Sequence, residues 1–310
     1  MPKIMKNKIA LVCTTSTTIE TFFAYHIKNL LPHYDITLIS NFENSNTLNK
    51  GFENVEVINL KMKRGYSILS DFINLIYLIL HFYKNNYTFT LSCTPKAGFL
   101  CSLSSFIARK KIRVHFFTGQ VWVTKKGLEK IFLRFIDKII AYLSTDLLTD
   151  SFSQMDVLTN NKITNKNKIK VLGNGSIAGV NFNYFNSNQN IKKQIRKNYN
   201  IPMNATIILF LGRLNRDKGI LDLIKVFENL VKKNNFKSLY LFIVGPDEID
   251  IQKYINNSIN SYIRLESYTS KPQEFMSASD IFCLPSYREG FGMSAIEAGA
   301  CNLPVVCSRI

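Results

Sequence analysis

The chain has 310 residues, 46% of them hydrophobic, and carries 39 Lys and Arg against 22 Asp and Glu for a formal net charge of +17. A chain of this length suggests about two domains with sizeable cores, and a mean hydropathy of 0.00 is that of a soluble protein. Six scattered cysteines, none in a C-x-x-C pair, exclude a zinc site of that kind and read as buried reduced thiols of a cytosolic protein.

The basic residues 1–8 lead into Ile9-Ala10-Leu11-Val12-Cys13. That run is too short for the apolar part of a secretory signal plus a cleavage site, and it reads as a first buried strand over 8–14. "TTSTT" at 14–18 is the first strand-to-helix loop. Its hydroxyls, Thr17 and Thr18 among them, either bind an acceptor phosphate or cap the helix expected over 20–31. Further strands are expected over 36–40, 55–60, 88–92, 113–117, 146–149 and 168–172, with helical patterns over 68–83, 96–109 and 128–143. Strand–helix–strand alternation argues for a parallel sheet with helices on both faces.

Two helical stretches bear on membranes. "YSILSDFINLIYLILHFY" at 66–83 is the longest apolar run, but Asp71 and Asn74 interrupt it. Its clean core of about ten residues is short of the roughly 18 a spanning helix needs. It reads as a soluble helix, with contact of one face with lipid as the lesser alternative. In 125–143, Ile131, Phe132, Phe135, Ile136, Ile139 and Ile140 form an apolar face beside Lys125, Lys126, Lys130, Arg134 and Lys138. Such a helix either lies on an anionic membrane or covers the sheet with a solvated basic edge. Residues 1–190 hold 23 Lys and Arg against 11 Asp and Glu, net +12, and residues 191–310 hold 16 against 11, net +5. The basic first half fits nucleic acid, a phosphorylated substrate or an anionic membrane, or else a compositional bias toward Lys and Asn.

The polar stretch "NFNYFNSNQN" at 181–190 reads as a linker. A short helix over 191–199 leads into a second alternating block, with strands over 206–211, 238–244, 263–266, 281–285 and 304–308. Its clearest helix spans 219–233, where Ile220, Leu223, Ile224, Phe227, Leu230 and Val231 recur at helical spacing. The expected architecture is α/β: two Rossmann-like domains, 1–187 and 188–310, facing a cleft.

In "FLGRLNRDKGI" at 210–220 a buried strand ends at Gly212 and a helix opens near Gly219. Arg213 and Lys218 therefore sit in a strand-to-helix loop at the carboxyl edge of a sheet, where open α/β folds bind ligands. Two cations beside a helix start suit a dianion such as a diphosphate; two solvated loop charges are the alternative. In "REGFGMSAIEAGACNLPVVCSRI" at 288–310, Gly290-Phe291-Gly292 lets backbone N–H groups approach a ligand ahead of a helix over 294–301. Glu289 precedes this turn. Glu297, one turn into the helix, either accepts ligand hydroxyls or completes a Ser294-x-x-Glu297 capping box.

Taken together, E-x7-E around Gly-Phe-Gly, "GRLNRDKG" and "LFIVGPD" resemble the donor domain of retaining glycosyltransferases of family 4, with the GT-B-type fold. "TPKAGFL", "RVHFFTGQVW" and "VLGNGSIAGVNFNYF" resemble a subgroup that builds bacterial surface polysaccharides on lipid carriers. The resemblance implies a donor site of Gly212, Arg213, Lys218, Gly245, Glu289, Gly290, Phe291, Gly292, Met293 and Glu297. In it Arg213 and Lys218 neutralise the diphosphate, Glu289 meets the donor sugar and Glu297 the ribose. It gives His115, placed at a strand end, a role beside the donor sugar together with Arg213, Lys218 and Glu289. A histidine packed at a strand end is the alternative. Thr17, Thr18, Gly119 and Gln120 would line the acceptor side.

The implied reaction moves a sugar, an N-acetylhexosamine in this subgroup, from a UDP-sugar to a polyprenyl-diphosphate-linked saccharide, with retention. Neither metal nor resident cofactor is implied, nor any nucleic acid; the location is cytoplasmic, at the inner face of the membrane or free of it. The family continues beyond "PVVCS", so the resemblance implies an incomplete second domain with weakened stability and activity. A sugar-nucleotide epimerase and a non-catalytic sugar-nucleotide- or membrane-binding chain stay open as alternatives. A dehydrogenase does not fit, because Thr-Thr-Ser stands where G-x-G-x-x-G would follow the first strand.

Overall fold

The computed structural model describes residues 6–42, 54–63, 65, 67–234 and 238–310. Most of the basic start and Tyr66, the first residue of the long apolar run, lie outside them. The chain forms two compact units, Met1–Ala178 and Gly179–Ile310.

The first unit is a parallel sheet in the order β3-β2-β1-β4-β5-β6-β7. Its strands are β1 (Asn7–Thr15), β2 (Tyr34–Asn41), β3 (Glu56–Asn59), β4 (Tyr87–Cys93), β5 (Ile112–Phe117), β6 (Asp146–Thr149) and β7 (Ile169–Val171). The sheet is covered on both sides because alternate residues of β1 are apolar in both registers. Ala10 and Val12 join one core cluster with Leu78, Phe82 and Leu100; Ile9, Leu11 and Cys13 join another with Ile19, Phe23 and Ile27. The helices Ile68–Lys84, Pro95–Ile107 and Gly127–Leu143 pack side by side on one face.

The second unit repeats the plan with five parallel strands in the order β10-β9-β8-β11-β12. They are β8 (Thr206–Leu211), β9 (Leu239–Val244), β10 (Ile263–Glu266), β11 (Ile281–Leu284) and β12 (Val305–Cys307). Ile207, Leu209, Phe242 and Val244 face one core, Phe210, Leu241 and Ile243 the other. The stretch read as a linker lies within this unit: Phe185 is buried in its core, and Tyr184 Oη donates to Ser270 O at 2.8 Å.

Strand order reverses between β1 and β4 in the first sheet and between β8 and β11 in the second. At such a switch point neighbouring connections leave in opposite directions and open a crevice beyond the carboxyl ends of the strands. Among the described residues no helix is long and apolar enough to cross a membrane.

Candidate functional site

In the second unit the loops after β8 and β11 meet at the switch point. Two glycines make this possible. Gly219 has φ +68°, and a Cβ there would lie 1.9 Å from Pro285 O. Gly245 has φ +144°, and its Cβ would lie 1.9 Å from Gly212 O. No side chain fits either place, so the turn after β8 closes onto the ends of β9 and β11. Gly212 and Gly245 thus shape the strand ends.

Asn215 organises the first loop. Its side chain accepts from Lys218 N at 3.1 Å and donates to Glu248 Oε2 at 2.7 Å. Glu248 in turn accepts from Arg213 Nη1, 3.0 Å from Oε1. Lys218 Nζ reaches Glu289 Oε1 at 2.5 Å, and Ser286 Oγ donates to the same oxygen at 2.7 Å. A second tie joins the loops: Arg288 Nη2 bonds Asp217 Oδ2 at 2.9 Å, and Tyr287 N bonds Asp217 O at 2.8 Å. The structure therefore brings Arg213, Lys218 and Glu289 to one sheet edge, with each cation matched to a carboxylate.

The turn 290–292 lies half-buried ahead of the helix Met293–Ala300. Gly292 is its N-terminal flanking residue, in the left-handed region at φ +80°, with no side-chain cap. Ser294 is inside the helix and not at its cap, so the capping-box reading of Glu297 does not hold. Burial alone pushes the Glu297 carboxyl up to about 7, and among the described residues it accepts no hydrogen bond. A half-buried carboxylate with spare lone pairs can take ligand hydroxyls. Spacing pointed to Arg213, Lys218, Glu289 and Glu297. It did not point to Asn215, Glu248, Ser286 or Asp217, whose types are common in any surface loop.

In the first unit the candidates are placed differently. His115 does not end its strand: Phe116 and Phe117 follow it in β5. It is 2% exposed, its Nδ1 stands 2.9 Å from Ser92 Oγ, and burial pushes its pKa down to about 3. A Cβ on Gly98 would lie 2.4 Å from His115 Cε1, so the ring fills the space under the helix Pro95–Ile107. The residues beyond the strand end are Thr118, Gly119 and Gln120, with Gly119 at φ +71° and Gln120 buried. Beside them Asp137, buried, accepts from Trp122 Nε1 at 2.7 Å, and burial pushes its carboxyl up to about 7.

Thr17 is exposed and Thr18 half-buried, in a short helical turn after β1. The capping expected of this loop is absent. Thr15, at the start of the turn, caps no N–H; its Oγ1 meets Thr18 Oγ1 at 3.2 Å, while Thr14 Oγ1 meets Thr94 Oγ1 at 2.7 Å across the β1/β4 switch point. Among the described residues no three His, Cys, Asp or Glu converge on a metal-sized site.

Residues 191–310 match the family model described as glycosyl transferases group 1. The chain is 31% identical over 266 residues to the capsular polysaccharide biosynthesis glycosyltransferase CapM of Staphylococcus aureus, covering 84% of this chain and 69% of that protein. It is 24% identical over 252 residues to the Escherichia coli UDP-Gal:alpha-D-GlcNAc-diphosphoundecaprenol alpha-1,3-galactosyltransferase, covering 80% of this chain and 64% of that one. Several other relatives align over only about a third of their length, such as the Bacillus subtilis teichuronic acid protein TuaC at 32%. The fold is that of the Anabaena protein HepE, solved with UDP and glucose: TM-score 0.74, 17% identity, 97% of this chain and 80% of that one.

Proposed function

The chain belongs to the group 1 glycosyl transferases, and we propose that it moves a sugar from a UDP-sugar to a saccharide on a polyprenyl diphosphate, in assembly of a capsular or O-antigen polysaccharide. One observation carries the donor half of this reading. Arg213 and Lys218 stand with Glu289 at the switch point of the second sheet, ahead of the N-terminus of the helix Met293–Ala300. A nucleoside diphosphate brings the negative charge that two cations and a helix start attract. Glu248 and Glu289 hold those cations in place, and the diphosphate takes over part of that role.

The donor's bond from anomeric carbon to diphosphate oxygen breaks, and its electron pair goes to the leaving phosphate. Arg213, Lys218 and the helix start stabilise that charge as it develops. An acceptor hydroxyl attacks from the side the leaving group departs, and its proton passes to the departing phosphate oxygen, so configuration is retained. Glu289 holds the donor sugar and Glu297 the ribose hydroxyls. Thr17, Thr18, Gly119 and Gln120 receive the acceptor, and His115 supports the loop after β5 from below. The donor is a UDP-linked N-acetylhexosamine, and the cations perform the task without a metal.

The polyprenyl diphosphate half is supported by the E. coli relative, whose named acceptor is a diphosphoundecaprenol-linked sugar; with such an acceptor, we infer, the chain works at the inner face of the membrane. The test is a titration of UDP- and GDP-sugars against the chain and its Arg213→Ala/Lys218→Ala variant by calorimetry. Binding of one UDP-sugar, lost in the variant and unchanged by EDTA, supports the reading. A folded chain that binds none of them overturns it.

A further inference from the structure

We propose that Thr94 is a positioning residue for the acceptor: its strained backbone, locked by its own hydroxyl, holds the start of the helix Pro95–Ile107 open at the switch point of the first sheet. That an acceptor is what it aligns rests on the glycosyltransferase reading above; the strain and the lock do not. Thr94 follows β4 with φ +78° and ψ +147°. Only glycine takes that region without cost, and for a β-branched residue it is an outlier. Among the described residues six other non-glycine residues have positive φ, none of them β-branched. Arg109, Lys162, Asn200 and Asn302 come just after helix ends, where a left-handed residue is ordinary. Thr94 comes before a helix.

The hydroxyl shows what the strain accomplishes. A threonine at a helix start ordinarily turns its oxygen onto an early N–H of its own helix. Here Oγ1 is turned away, toward β1: it stands 2.7 Å from Thr14 Oγ1 and accepts from Thr14 N at 3.3 Å. The helix is left with no side-chain cap. Pro95 is its first residue, so its first N–H groups are those of Lys96 and Ala97, and neither meets an acceptor among the described residues. Ala97 is fully buried. Glycine would hold this backbone freely but has no hydroxyl to lock it to β1. Strain of this kind persists only where its surroundings enforce it, and it collects at ligand clamps.

Other polar groups border the same place. The cavity beside Thr94 and Pro95 is lined by His115, Thr118, Gly119 and Gln120. The His115 ring lies under the first turn of the helix, with Nδ1 at Ser92 Oγ and Nε2 meeting no described residue. Two bare N–H groups and an imidazole nitrogen suit the hydroxyl or phosphate oxygens of an acceptor. Their spacing depends on where the helix begins, and Thr94 fixes that point.

The test pairs stability with binding. Glycine is ordinarily less stabilising than alanine; with strain at Thr94 the order inverts, and Thr94→Gly melts above Thr94→Ala. The binding probe is N-acetylglucosamine on farnesyl diphosphate. Its readout is the emission of Trp122, the one tryptophan of the chain, buried in the wall of the same cavity. The wild type and Thr94→Ser should respond alike. Thr94→Gly, Thr94→Ala and Thr14→Val should bind ~10-fold or more weakly, because the helix start is no longer held ready. UDP-sugar affinity stays unchanged, and in transfer assays the loss falls on the acceptor's KM and not the donor's. A purely structural role would instead make binding follow Tm. Thr94→Gly melting at or below Thr94→Ala, or binding the probe as the wild type does, overturns the proposal. So does Thr94→Ser failing as Thr94→Gly does. A wild-type chain that binds a UDP-sugar while Trp122 ignores the probe sinks this proposal alone. One that shows the expected order at Trp122 but takes no UDP-sugar sinks the glycosyltransferase reading alone.

Discussion

Lys218 and Glu289 lie 71 positions apart and meet with Nζ 2.5 Å from Oε1. This half-buried pair ties the loop after β8 to the loop after β11, and Ser286 holds the same carboxylate oxygen. If Lys218 meets the leaving phosphate as proposed, Lys218→Ala removes that cation, and kcat/KM is expected to fall by ~10²–10³. Glu289→Gln keeps the shape and frees Lys218. UDP affinity should hold or rise while kcat falls. Initial rates and UDP calorimetry on both variants check the split; equal losses of UDP affinity would contradict it.

Gly219→Ala and Gly245→Ala put a Cβ 1.9 Å from a backbone oxygen, each at positive φ. Either change should cost at least about 1–3 kcal/mol from the backbone conformation alone, read as a large fall in Tm. Gly292→Ala, whose Cβ would meet only Leu284 Cδ2 at 3.9 Å, carries the positive-φ cost without a clash and should fall less. Gly299→Ala, inside the helix with open space around its Cβ, should stabilise by about 0.5–1 kcal/mol.

The strands were the most legible part of the sequence. Buried parallel strands are short continuous apolar runs, and "TIILFL" or "LYLFIV" can scarcely be anything else. The helices Phe152–Asn160 and Pro272–Ala278 were not read, because they are short and carry weak apolar periodicity. Arg213, Lys218 and Glu289 were legible because residues that follow successive parallel strands must share one edge. The partners that hold them were not. Asn215–Glu248 and Arg288–Asp217 depend on how two loops cross, which Gly219 and Gly245 decide through contacts remote in sequence. His115 was misplaced by two residues along its strand, enough to move it from the edge into the core.

Asp137 gives an acid–base prediction for stability. Burial raises its carboxyl from 3.8 to about 7, with the Trp122 indole pulling the other way. Between those values the unfolded chain has lost a proton that the folded chain keeps. Its contribution is therefore complete below about pH 4 and is lost as pH rises to about 7, by up to about 1.4 kcal/mol per pH unit. Asp150 is raised to about 7 by burial and acts in the same direction. Asp137→Asn, whose amide oxygen still accepts from Trp122, should flatten the fall of Tm with pH across this window. An unchanged slope would mean that Asp137 is ionised in the folded chain.

Glu297 carries the last prediction, and here pH acts on binding. Its carboxyl stands at about 7 because burial disfavours the charge. Near neutrality the free chain therefore holds a mixture of acid and carboxylate. Only the carboxylate offers all its lone pairs to ligand hydroxyls, so a UDP-sugar that Glu297 grips draws the group toward ionisation and expels a proton. Affinity should climb as pH rises from about 6 to about 8 and then level off. Calorimetry near pH 7 in two buffers of different ionisation enthalpy should find a fraction of a proton released per UDP-sugar bound. Glu297→Gln should abolish the release and the pH dependence together and weaken binding by roughly 10-fold or more, the worth of a hydrogen bond to a charged group. Proton release that survives this change would move the titrating group elsewhere and leave Glu297 as a residue of the helix alone.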